Sequence, residues 1–166
     1  LTKDTYHLER GARTMGGIPD YPEGKESLFT LARAINDFMP QHMANLTRAG
    51  LNRAGKTVKG SKITILGWAF IANSDDARNT PSEMYRDLMV EEGATVNVHD
   101  PYVMEYPGIK IISDLDKAAH GTHAYAIFTG HFLYHDLLPL QMKEWSGQVH
   151  PVIVDGRNVV NPDHFI

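Results

Sequence analysis

Beyond residue 57 the sequence alternates short β-rich runs with stretches of helical period, and this alternation restricts the fold more than any other feature. Lys62–Leu66 is a β-rich run ending at Gly67, residues 81–92 read as helix, Thr95–His99 as strand and Leu115–Ala119 as a short helix. The order then repeats, with a strand at 124–129, a helix at 134–142 and a last buried strand at Val152–Asp155. Strands separated by helices pair in parallel through right-handed crossovers, because a hairpin has no room for the helix between them. The expected class is α/β, a Rossmann-like doubly wound parallel sheet preceded by a long helix. Ligands of such sheets bind beyond the carboxyl ends of the strands.

The first 56 residues carry a different pattern. A short helix is expected at 4–13, then a loop punctuated by Gly16, Gly17, Pro19, Pro22 and Gly24. From residue 25 to about 55, Leu28, Leu31, Ala32, Ile35, Met39, Met43 and Leu46 step by three or four, the helical period. Pro40 lies inside this helix and removes the amide that would bond to the Asn36 carbonyl, so a kink is expected there. An apolar stripe of this length packs against a second copy of the helix, bridges two domains, or lies across its own domain; the pattern leaves these open. The chain divides on this reading into a helical segment, 1–56, and an α/β domain, 57–166. The cations Arg48, Arg53, Lys56, Lys59 and Lys62 have no acid among them and read as a solvated linker beside a helix C-terminus.

Composition removes several function classes. Hydrophobic residues at 42% and charged residues at 22% are those of a globular chain, and 166 residues suffice for one core without staples. A net charge of −4 speaks against nucleic acid as a partner. The absence of cysteine excludes disulfides, thiolate metal sites and a cysteine nucleophile within these residues, and makes a reducing cytoplasm the expected location. The longest nearly apolar run, 63–72, falls short of the roughly 20 residues a membrane span needs, so no membrane partner is expected. Because Leu1, Thr2, Lys3 and Asp4 open the chain without an initiator Met, a fragment of a longer protein is expected.

Three places carry residues suited to chemistry. Thr80 is the expected N-cap of the helix at 81, with Pro81 at its first position and Glu83 closing a capping box. The free amides of that helix end suit a phosphate or carboxylate, and Arg78 just upstream adds a cation; alternatively Arg78 pairs with Asp75 or Asp76 and does no more. Asp100, after the second strand, stands where dinucleotide-binding folds put a ribose-gripping acid. However, only Gly67 follows the first strand in place of a G-x-G-x-x-G signature, and it lies 33 residues before Asp100 rather than about 20. An NAD site built wholly within this chain is therefore not expected. His120 with His123, and His131 with His135, invite a metal reading, but a strand separates the pairs and no Asp-rich or cysteine pattern accompanies them. Surface or loop positions are expected for them, and no metal. Arg157 follows the last strand and arrives at a strand tip, the second arginine expected on one anion-binding rim with Arg78.

Together, GWAF, SDDARNTP, VHDPY, GHFLYHDL and DGRN, in this order, resemble the C-terminal domain of the UDP-glucose/GDP-mannose dehydrogenase family, NAD-dependent nucleotide-sugar 6-dehydrogenases. ARAINDFMPQHM resembles the central helix through which these enzymes dimerise, and LTKD resembles the residues directly after their catalytic cysteine. The resemblance implies oxidation of a sugar C6 alcohol to a carboxylate with two NAD consumed, through a thiohemiacetal and a thioester on that cysteine. It implies a role for Asp4 with the hydrolytic water, with Lys3 as its neighbour in the motif. It implies Arg78 where cofactor and substrate pockets meet, Arg157 and Phe70 in the nucleotide-sugar pocket, and a UDP-sugar and a homodimer partner. Two departures stand out. The cysteine and the NAD-binding domain would precede Leu1, so the chain alone is expected to be inactive; and Ile71 stands where the family tends to have a lysine that meets the charged part of the substrate. LTKD and INDFMP resemble the N-acetylhexosamine uronate branch more than the UDP-glucose branch. The alternatives are a dimerisation or assembly module without catalysis and a free-standing dinucleotide-binding Rossmann domain.

Overall fold

The computed structural model describes residues 4–15 and 27–165 and forms two compact units, Leu1–Met39 and Pro40–Ile166. The first contains α1 (Asp4–Thr14) and the opening turns of α2 (Leu28–Arg53). Ser27 begins α2 as its cap, its Oγ accepting the Thr30 amide at 3.1 Å, so the helix starts three residues later than its periodicity suggests. Pro40 lies inside α2, which continues through it to Arg53.

The second unit is built on β1 (Lys62–Leu66), β2 (Thr95–His99), β3 (Ile111–Ile112), β4 (Ala124–Ile127) and β5 (Val152–Asp155), in the order β3-β2-β1-β4-β5, every pair parallel. This is the expected doubly wound sheet, with its switch point between β1 and β4. The crossovers carry α3 (Pro81–Glu91), α4 (Leu115–Ala119), α5 (Phe132–His135) and α6 (Pro139–Ser146), and a 3-10 turn, Pro162–Phe165, follows β5.

Side chains alternate across the strands and sort the core into two layers. Ile63, Ile65, Ala124, Ala126 and Val154 face one side, where Met43, Ala44 and Leu51 of α2 and Tyr85 and Met89 of α3 cover them. Leu66, Tyr125 and Ile127 face the other, beneath Tyr134 of α5 and Met142 of α6. Because both faces are covered, the strands lack an exposed polar face. Thr64, buried on the second side, satisfies its hydroxyl on the Ala118 carbonyl and Thr122.

Several expectations need correction. The helix expected across 134–142 is two helices, since Pro139 biases Leu138 to an extended backbone (φ −97°, ψ 143°) and then serves as the first residue of α6. Thr80 caps α3 as expected, accepting the Ser82 amide, but Glu83 closes no capping box: its carboxylate accepts the Tyr106 hydroxyl at 3.1 Å. Nor are the cations from Arg48 to Lys62 a solvated linker. Arg48 grips the Glu92 carboxylate with two guanidinium nitrogens, Val58 and Ser61 are buried, and Lys62 starts β1.

Candidate functional site

The carboxyl edge of the sheet is organised by one buried acid. Asp100 leaves β2 and is fully enclosed, with five hydrogen bonds converging on its carboxylate. The amides of Trp68 (2.7 Å) and Ala69 (2.8 Å) and His131 Nε2 (3.0 Å) reach Oδ2, and the amides of Tyr102 and Val103 reach Oδ1. Burial pushes this carboxyl upward, but the bonds from His131 and the amides outweigh it and hold the group well below the usual carboxylate range. Asp100 has no lone pair to spare for a ribose. It ties the segments after β1, β2 and β4 together.

His131 extends this hub. Its Nδ1 accepts the Asn73 amide at 2.9 Å, so the proton is on Nε2, the nitrogen that donates to Asp100. Asn73 adopts a left-handed φ of 58°, and its side-chain oxygen accepts the Phe132 amide. Below it, Tyr134 donates to the His99 carbonyl and meets His99 Nδ1 at 2.8 Å. Burial pushes the His99 imidazole down to about 4, against an upward pull from Asp100. His99 and His131 are thus enclosed; of the surface or loop position expected of His131, the structure gives a loop, the cap of α5, but a buried one, because Asp100 needs a donor there. Among the described residues no three His, Cys, Asp or Glu side chains are grouped to hold a metal.

Beside the hub a cleft of about 560 Å3 opens between the segments after β1, β4 and β5, lined by Ala72, Gly130, His135, Asp155, Gly156, Arg157 and Asn158. Asp155 shapes it. Its Oδ1 accepts the Arg157 amide (2.8 Å) and its Oδ2 those of Val159 (2.6 Å) and Val160 (2.9 Å), so the chain turns sharply and presents the Arg157 side chain outward. Two glycines are needed close by. Gly67 has φ +95° and lies where a Cβ would come 2.7 Å from the Thr129 nitrogen, and a Cβ on Gly156 would come 3.1 Å from the Ile127 carbonyl oxygen. The cleft therefore offers an exposed guanidinium and an imidazole, while its one carboxylate is already bonded to three amides. A small dianion fits that chemistry. A second concavity, about 460 Å3 along α3, is lined by Glu83, Asp87 and Glu91 with no cation, and repels such a ligand.

The sequence-predicted residues fall unevenly around this cleft. Arg157 lines it. Arg78 does not: its guanidinium is exposed and paired with Asp76 through Nε (2.8 Å) and Nη2 (2.7 Å), the local pairing weighed above. Those bonds hold the Asp76 carboxyl down to about 2. The two arginines thus do not share the cleft's rim. Phe70 is exposed in the segment after β1, and its amide bonds to the Asp76 carbonyl. Asp4 opens α1 in the other unit, and Lys3 lies outside the described residues. His135 entered the sequence reading only as the partner of His131 in a discounted metal pair, inside the helix expected at 134–142.

Residues 64–162 match the UDP binding domain of the UDP-glucose/GDP-mannose dehydrogenase family. The chain belongs to that family. Among solved structures it is similar to an NDP-N-acetyl-D-galactosaminuronic acid dehydrogenase from Methanosarcina mazei Go1, with 55% identity and a TM-score of 0.92 over 99% of this chain and 35% of that one. It is 28% identical over 164 residues to the UDP-N-acetyl-D-mannosamine dehydrogenase of Pyrococcus horikoshii, covering 96% of this chain and 34% of the relative. It is 33% identical over 140 residues to the UDP-glucose 6-dehydrogenase of Rhizobium meliloti, covering 78% of this chain and 30% of the relative. The chain therefore spans about a third of the length of these dehydrogenases. Within the family's UDP binding domain, the Asp100 hub and the Arg157 turn are both carboxyl-edge features, on the side where ligands of doubly wound sheets bind.

Proposed function

We propose that this chain is the dimerising and nucleotide-sugar-binding part of an NAD-dependent nucleotide-sugar 6-dehydrogenase that oxidises the C6 alcohol of a UDP-sugar to a uronate. The observation that carries the reading is the Arg157 cleft, a recess at the carboxyl edge of a domain of this family that holds an exposed guanidinium. The 55% identity to a dehydrogenase named for an N-acetylgalactosaminuronic acid favours an N-acetylhexosamine as the sugar. In this reading Arg157 neutralises the diphosphate, Phe70 borders the sugar nucleotide, and Arg78, already oriented by Asp76, faces the junction with the cofactor pocket. Asp4 and Lys3 attend a catalytic thiol that these residues do not include.

NAD does not fit a site made from this chain alone. Gly67 is the single glycine between β1 and α3, and Asp100 is spent on amides and His131. The cofactor belongs to a domain outside these residues, and the isolated chain is expected to bind a UDP-sugar without reducing NAD. Calorimetric titration of the chain with UDP tests this: saturable binding that Arg157→Ala weakens by about tenfold or more supports the cleft, as expected for one charge-assisted contact. No heat from a folded chain, or an unchanged Arg157→Ala titration, refutes it.

A second role has its own observation. Leu28, Leu31, Ile35, Phe38 and Met39 on the first half of α2 are all exposed, more apolar surface than a lone helix leaves in water. A second copy of the helix is the proposed cover, which makes the assembly reading a companion of the nucleotide site.

A further inference from the structure

We infer that His135 is a second ligand of the nucleotide diphosphate, in the same cleft as Arg157. The inference rests on the nucleotide-binding reading of that cleft and adds to it a residue from a different element. His135 is the last residue of α5, the short helix that follows β4, whereas Arg157 belongs to the turn after β5. Both line the same recess, so two sheet segments each deliver one nitrogen-bearing side chain to it.

Of the other lining side chains Asn158 alone brings a donor, a neutral carboxamide on the same turn as Arg157, so His135 is the donor from a different element. The segment after β1 brings only the methyl group of Ala72 to the cleft, and Gly130 brings no side chain. Asp155 is turned inward onto the amides of Arg157, Val159 and Val160. A bridging diphosphate carries charge on both phosphoryl groups, and one guanidinium satisfies one side of it. The imidazole N–H of His135, delivered by a different element, serves the other.

The backbone holds His135 where this needs it. Tyr134, its neighbour, is fully buried and bonded to His99, and α5 starts from His131, which is fastened to Asp100. The exposed imidazole therefore stands on a helix turn anchored at two buried points.

The test uses the 166-residue chain, titrated calorimetrically with a UDP-hexose and, separately, with uridine, which lacks the diphosphate. His135→Gln is expected to weaken the UDP-hexose by about five- to tenfold, the worth of one such hydrogen bond, and to leave uridine unchanged. His135→Arg is expected to keep or tighten UDP-hexose binding, and His135→Glu to lose more than His135→Gln. Wild-type affinity for the UDP-hexose in His135→Gln, with Arg157→Ala still weakened, overturns the His135 assignment and leaves the cleft standing. Equal losses for uridine and UDP-hexose also overturn it, because His135 would then act on the nucleoside or on folding. A wild-type chain that binds no UDP-hexose overturns the cleft itself and this inference with it.

Discussion

Asp100 shows how one side chain sets an entire edge. A carboxylate with five donors is stable in the core only while it is ionised and every donor is present. Asp100→Asn replaces part of that acceptor with a donor facing amides, and should cost about 3 kcal/mol in denaturant unfolding. His99 gives the pH dependence. Its ring stays neutral in the folded chain down to about 4, while in the unfolded chain it takes a proton below its ordinary value near 6.5. Stability is therefore complete above pH 6.5 and declines toward pH 4 at up to roughly 1.4 kcal/mol per pH unit. The depressed Asp100 carboxyl acts in the same direction at lower pH, its contribution lasting until pH falls below the ordinary carboxylate value. Thermal unfolding midpoints against pH should fall over the His99 window for wild type and stay flatter for His99→Gln; parallel curves would disprove the assignment. None of this was legible in the sequence, since VHDPY and GHFLYHDL give no sign that His131 closes on Asp100 across 31 residues.

The elements were more legible than the contacts between them. β1, β2, α4 and β5 begin and end where apolar runs meet turn residues, because patterning and punctuation act locally. β3 escaped notice: two residues at a sheet edge have no period to read. How closely α2 approaches the sheet was equally hidden. Gly50 faces Val152 of β5, and a Cβ there would come 2.5 Å from Val152 Cγ1, so helix and strand meet where only hydrogen fits. Gly50→Ala should destabilise by about 1–2 kcal/mol although alanine is the better helix former. Adding Val152→Ala should remove most of that penalty, read as a coupling energy in a double-mutant cycle. Additive losses would mean that the two elements are not in contact.

At the scale of the molecule, two surface features bear on assembly and binding, the exposed apolar residues of the first half of α2 and, separately, the Arg157 cleft. Periodicity had left three partners open for the long helix. Of the stripe only Met43 is buried, packing on the sheet beside Ala44 and Leu51, while Leu28, Leu31, Ile35, Met39 and Leu46 remain exposed, as does Phe38 off the stripe. Introducing Ile35→Asp together with Phe38→Asp should convert a dimer to a monomer in sedimentation equilibrium without changing UDP affinity; a wild-type chain that is monomeric at all concentrations would remove the helix pairing. The candidate site was half legible. Arg157 follows from a strand tip and a DGRN turn, whereas Arg78 looked equally suited until Asp76 was seen to engage it. A diphosphate held where β1, β4 and β5 end is detected by amide chemical-shift mapping during a UDP titration. Saturable shifts should gather at Gly130, His135, Gly156, Arg157 and Asn158. Shifts gathered instead along α3, or none at saturating UDP, would contradict it.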